Sequence, residues 1–338
     1  MRRFLAVALL LVTVLVHRPA DTAPAAEGPS ARGRLVARTS RFVFRASPGA
    51  EGVARHLARS AEEIRDRLAQ DLGEDYDGIT EVRIGHDTAS FRALMPPGRK
   101  APTWAAGVAY PDLDLIVLDG RGAPRSASLE QVLAHEVSHI ALGRLAPGRF
   151  PRFFLEGIAT YHAGEWDLGR VALLSGAVTR DELIPLSDLV RGWPDHPQEV
   201  RLAYAESIAF VSWFFGTYGR PAMHRLIRGV VAGAPFEAAL EAATGEPLWK
   251  LEIAWHDALR LRYTWVPAVA STGFFWGLIS LLFLYAWWHR RRGARRRLAE
   301  MEAEESLLAE AAAGDLPPLE ASEERISAAD PGGPLLLH

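Results

Sequence analysis

The 338-residue chain has no cysteine. Disulfides, thiolate metal sites, iron–sulfur clusters and cysteine nucleophiles are therefore excluded. Any metal site must draw on His, Asp or Glu. Any covalent nucleophile must be Ser, Thr, Lys or a carboxylate. A strong excess of one charge is also missing: 38 Lys and Arg stand against 41 Asp and Glu, a formal net charge of −3. A dedicated nucleic-acid binder needs a basic face, so no nucleic-acid partner is expected. Apolar residues are plentiful at 49%, enough for a sizeable core in one or two domains.

Two apolar runs give the expected topology. Arg2 and Arg3 precede a thirteen-residue run, Phe4 to Val16, and small residues follow around Ala23-Pro24-Ala25. That is the layout of a secretory signal, and the run falls short of the roughly 20 residues that span a bilayer. The second run, Tyr263 to Trp288, holds 26 residues without a charge. As a helix it reaches about 39 Å, more than the roughly 30 Å hydrocarbon layer. Trp265 lies at one end and Tyr285, Trp287 and Trp288 at the other, as interfacial aromatic belts predict. Arg290, Arg291, Arg292, Arg295, Arg296 and Arg297 follow at once and assign that flank to the cytoplasm. The expected organisation is a signal peptide over 1–26, an extracytoplasmic domain over 27–262 and a transmembrane helix over 263–288. A basic stop and an acidic, disordered cytoplasmic tail complete it over 289–338. The chain is thus expected at the cell membrane as a single-pass protein in contact with lipid.

The outer segment shows no internal repeat. Arg41 to Arg45 alternates like a strand, and Glu51 to Leu72 is helical with Val53, Leu57, Ile64 and Leu68 on one face. Glu81 to Gly85 is a short strand. Trp104 to Tyr110 and Leu113 to Leu118 form a hairpin about Pro111-Asp112. A helix begins at Ser128, whose spacing to Gln131 is that of a capping box, and runs to about Gly143. Another begins at Pro151 and stops near Gly164. From about 197 the pattern is helical throughout, at 198–217, 221–232, 235–243 and 246–262, with Gly219, Gly233 and Gly245 as punctuation. The expected fold is α+β: a small mixed sheet with an active-site helix, a helical subdomain from about 197, and the single membrane helix.

The chemistry lies in His135-Glu136-Val137-Ser138-His139. Residues four apart share a helix face, so His135 and His139 can offer imidazole nitrogens to one ion. Glu136 beside them can take a proton from water that the ion activates. A stable zinc site needs a third protein ligand. The metzincin spacing would put Gly at 142 and His at 145, but Leu142 and Leu145 stand there. Glu156 on the next helix is the candidate: sixteen residues separate it from His139, enough for a helix end, a loop and one returning turn. A carboxylate on an apolar helix face calls for a partner, and a metal supplies one. One Zn2+ per chain is the ion favoured by this ligand type.

With these residues in hand, the chain resembles the gluzincins, the group that includes thermolysin and the zinc aminopeptidases, and more narrowly the peptidase MA-like family. That family follows H-E-x-x-H with P-x-W-L-x-E-G-x-A-x-Y. Pro151-Arg152-Phe153-Phe154-Leu155-Glu156-Gly157-Ile158-Ala159-Thr160-Tyr161 matches it, with Phe153 in the Trp place. The similarity extends through Tyr204-Ala205-Glu206-Ser207 and Phe236 to Leu240, and covers roughly 75–262. It implies a zincin-like fold with His135, His139 and Glu156 as ligands and Glu136 as general base. It also implies a Tyr or His beside the metal to stabilise the oxyanion: Tyr204 is the first candidate and Tyr161 the second. Thr160 is a candidate to orient Glu156, and Glu206 to orient an imidazole. His162, His196, His224 and His256 have no second motif around them.

The strand-like segment before the active helix, with Gly107-Val108-Ala109, is either an edge that pairs with extended peptide or an interior strand. The expected function is a membrane-anchored extracytoplasmic zinc peptidase acting on peptide or protein. The competing reading is an inactive scaffold on the same fold. An intramembrane protease is disfavoured, because Arg125, Glu130, Arg144 and Arg149 flank the motif.

Overall fold

The structure is a computed structural model that describes residues 32–101, 105–121, 128–164, 167–263, 273 and 276–293. The expected signal peptide, the acidic tail and Trp104 lie outside the described residues. The chain divides into two units between Ala270 and Ser271.

In the first unit a five-stranded sheet has the order β1-β2-β3-β5-β4. Its strands are β1 (Arg34–Arg38), β2 (Phe42–Ala46), β3 (Thr80–Gly85), β4 (Gly107–Tyr110) and β5 (Leu115–Asp119). The pairs β2/β3 and β3/β5 are parallel, and the two outer pairs are antiparallel. The mixed sheet and the β4/β5 hairpin match expectation, with a 3₁₀ turn over Pro111–Leu113 at the tip. β4 is an edge strand.

Side chains alternate across a strand, and the sheet uses both faces. Ala109, Ile116 and Leu118 join the main core, which α1 (Glu51–Leu72) and α3 (Leu129–Leu145) cover. Val108, Tyr110, Leu115 and Val117 face a smaller cluster with Phe91 of α2 (Thr88–Ala93). α3 is buried without a break from Val132 to Leu142. A helix apolar nearly all round belongs in the middle of a core, so the polar residues of its motif are carried inside with it. Its start is fixed as expected: the Ser128 side chain accepts from Gln131 N, and the Gln131 side chain accepts from Ser128 N.

The chain after β5 is helical among the described residues: α4 (Arg152–Ala163), α5 (Leu168–Arg180), α6 (Leu186–Arg191), α7 (Pro197–Val231), α8 (Phe236–Thr244) and α9 (Leu248–Tyr263). The helices from Ser128 and Pro151 stand where expected, and α5 and α6 fill the stretch before the helical part expected from about 197. Pro151 is the N-cap of α4 rather than its first helical residue, and Gly164 closes the helix in a left-handed conformation. α7 breaks at Gly219, where φ is 71°. An aromatic cluster ties the helices together: Phe153 meets Phe210 at 5.5 Å, Phe154 meets Phe236 at 5.1 Å, and Phe210 meets Trp255 at 5.6 Å.

In the second unit, residues 276–293 are helical with exposed side chains. Among the described residues no helix is long and apolar enough to cross a membrane. Residues 264–272, 274 and 275 of the expected span lie outside the described set.

α4 and α7 also approach each other closely. A Cβ on Gly157 would stand 2.6 Å from the carbonyl oxygen of Ser207 and 2.8 Å from Val211 Cγ2. Replacing a helical Gly by Ala ordinarily stabilises by about 1 kcal/mol. Here overpacking against a backbone carbonyl outweighs it. Gly157→Ala is expected to destabilise by roughly 1–3 kcal/mol in urea denaturation. A stabilised variant would contradict this packing.

Candidate metal centre

α3 and α4 pack side by side, and their facing surfaces bring His135, His139 and Glu156 together. One ligand atom from each lies within 4.8 Å of the others, and all three residues are buried. The two Nε2 atoms are 3.2 Å apart. Glu156 Oε2 stands 3.8 Å from His135 Nε2 and 3.7 Å from His139 Nε2. Two imidazoles and one carboxylate fit zinc by donor chemistry.

Burial holds both histidines neutral, the form that binds metal. The pKa of His135 is pushed well below its ordinary value, first by burial, then by His139 and Arg170. That of His139 is pushed down to about 3 by burial and by Arg152.

Glu136 is fully buried in the same turn of α3. β4 passes directly against it: a Cβ at Gly107 would lie 2.8 Å from Glu136 Oε1. Only a glycine lets the edge strand run this close to the carboxylate.

Tyr204 comes to the site from α7, which Gly157 lets approach α4. Its hydroxyl accepts from Arg152 Nη2 at 3.5 Å and lies close enough to the Glu156 carboxylate to feel its charge. Burial, and then the Glu156 charge, push its pKa far up, so the phenol keeps its proton. Tyr161 is elsewhere: it stacks on Phe215 at 4.8 Å and is not part of this group. Thr160 does not touch the Glu156 side chain. Its hydroxyl donates to the Glu156 backbone carbonyl at 2.7 Å, as helical threonines often do. His162 pairs with Asp71 at 3.1 Å, and His224 meets the Gln70 carbonyl at 2.9 Å.

Arg152 was not among the expected site residues. It stands one turn before Glu156, with Nε 3.6 Å from Glu156 Oε1. An arginine opening a helix reads as surface charge until its tertiary neighbours are seen.

The sequence matches the Peptidase MA superfamily over residues 67–261. The chain belongs to that superfamily. The gluzincin-type resemblance drawn from the motif residues therefore holds. No curated protein matches the chain. Among solved structures, a two-domain M1 zinc metallopeptidase bound to L-tryptophan is similar at 16% identity and TM-score 0.36. The alignment covers 66% of this chain and 50% of that one. An M1 zinc metallopeptidase from Deinococcus radiodurans is similar at 17% identity and TM-score 0.35, covering 68% and 50%. This superfamily member spans about half the length of either structure.

Glu206 does not orient an imidazole. It is buried on α7, and its Oε1 accepts from Ile184 N at 3.0 Å in the link between α5 and α6. Its Oε2 has no hydrogen-bond partner among the described residues. Burial, with the Glu252 charge adding to it, raises its pKa to about 8, against the pull of the Ile184 amide. The folded protein then keeps a proton that the unfolded chain loses near the ordinary carboxyl pKa. This contribution to stability is full below the unfolded value and is lost as pH rises through about 8. Glu206→Gln is neutral at every pH and keeps an acceptor for Ile184. Its stability relative to the unmutated protein is expected to climb between pH 5 and pH 9, to roughly 2–4 kcal/mol. Thermal or urea unfolding at the two pH values reads this, and a flat difference would refute it.

Proposed function

We propose that the protein is a zinc-dependent peptidase, anchored in a membrane with residues 27–262 on the extracytoplasmic side. The observation that carries the catalytic reading is the buried set of His135, His139 and Glu156 with Glu136 in the same turn of α3. The anchoring rests on the uncharged run from Tyr263 to Trp288 and the arginines after it.

His135, His139 and Glu156 would hold the ion. Zinc held there supplies Lewis acidity, which acidifies water and polarises a carbonyl. Glu136 takes the proton from the attacking water and passes it to the departing amine. Its buried position keeps bulk water from competing for that proton. Tyr204, kept protonated by burial, donates a hydrogen bond to the oxyanion that develops on the attacked carbonyl. β4 ends the sheet, and an extended peptide would pair with its backbone N–H and C=O groups. Gly107 sets the strand close enough for a peptide paired there to lie beside Glu136.

Glu136→Gln tests this division of roles. Zinc content is expected to stay at that of the unmutated protein, while turnover of an unstructured protein such as casein falls by about 100-fold or more. Retained turnover would remove Glu136 as the base.

A further inference from the structure

Glu156 presents its two oxygens to different neighbours. Oε2 faces the imidazoles, and Oε1 faces Arg152. The Arg152 guanidinium lies over the Trp193 ring at 4.7 Å. Trp193 in turn meets Tyr204 edge-on at 5.0 Å. Stacking fixes the plane of the cation. Its polar contacts are loose by comparison: 3.6 Å to Glu156 and 3.5 Å to Tyr204. Charge-assisted hydrogen bonds close to roughly 2.7–2.9 Å, and arginine meets a carboxylate best with two at once. An arginine serving only to clamp Glu156 would adopt that fork. Its Nη1 has no hydrogen bond among the described residues. The Arg152 side chain is 36% exposed, whereas Glu136, His139, Glu156 and Tyr204 are buried. A cation with its plane fixed, donors to spare and access to solvent therefore stands beside the proposed oxyanion donor.

Charge nearby points the same way. The charge of Arg170 acts on His135, and Asp167 stands 3.5 Å from the Arg170 Nε. Guanidinium groups flanking a low-dielectric site attract anions.

We propose that Arg152 recognises a carboxylate of the substrate, so that the site favours peptides with a negative charge next to the bond to be cut. This rests on the peptidase reading above. Two sources carry the same chemistry: an Asp or Glu side chain, or the free C-terminus of a short peptide.

The test uses the zinc-loaded full chain carrying Glu136→Gln, so that peptides bind without being cut. Four peptides share one core and differ in two places. One has Glu or Gln beside the central bond, and each is made with a free or an amidated C-terminus. The neutral peptide is Gln with the amide. Calorimetry is expected to show a carboxylate peptide binding about tenfold more tightly than the neutral one. A preference within the Glu/Gln pair identifies a side chain, and one within the acid/amide pair identifies the terminus. Arg152→Gln should bring the ratio close to one, and Arg152→Lys should restore part of it. Zinc content is measured for each variant; if Arg152→Gln loses the ion, the ratios of the parent and of Arg152→Lys decide. Equal affinities for all four peptides would overturn the proposal and leave the peptidase reading standing. A ratio unchanged in zinc-bound Arg152→Gln would overturn it too. Failure of all four to bind the zinc-loaded protein would overturn both.

Discussion

The structure turns on the face where α3 meets α4. Two imidazoles and a carboxylate lie there in the core, with their ligand atoms within 4.8 Å of one another. A carboxylate in such a place is costly unless a cation or several donors hold it. Buried apolar residues of α3, among them Val132, Leu133, Val137, Ile140 and Leu142, surround the cluster. The fold thus spends core volume on polar groups that pack no better than leucine would. A bound divalent cation is the simplest physical reason for that choice.

Two glycines make the arrangement possible by what they lack. At Gly157, α4 comes close enough to α7 that Tyr204 reaches Glu156. At Gly107, the edge strand comes close enough to α3 to touch Glu136. The aromatic cluster of Phe153, Phe210 and Trp255 then locks α4, α7 and α9 behind the site. Positioning comes from helices and one strand, which hold side chains more firmly than loops do.

Much of this could be read along the chain, because the signals were local. The capping box at Ser128, the four-residue histidine spacing and the glycine after α4 each act within a turn or two of helix, and each stands where expected. The bounds of α1, Glu51–Leu72, follow from apolar periodicity alone. What escaped was non-local or weakly patterned. β1 is largely exposed and pairs with β2 through a register shift, so it shows no clean alternation. α2, with six residues, carries little periodicity. α5 has one signal that could have found it, the Asp167 cap on Arg170 N. The place of Arg152 depends on Trp193 and Tyr204, both distant in sequence. Thr160 follows Glu156 by four residues and Glu206 follows Tyr204 by two, yet their side chains bond elsewhere, to a helix carbonyl and to Ile184 N.

The claim beneath all of this is that Glu156 completes a metal site with His135 and His139. Elemental analysis of the purified full chain after zinc loading and dialysis, beside a Glu156→Ala variant, tests it most directly. The account predicts about one zinc per chain in the unmutated protein. It predicts little or none in the variant, with the helical circular dichroism of both unchanged. A chain that takes up no zinc, or a folded variant that holds as much as its parent, would contradict it.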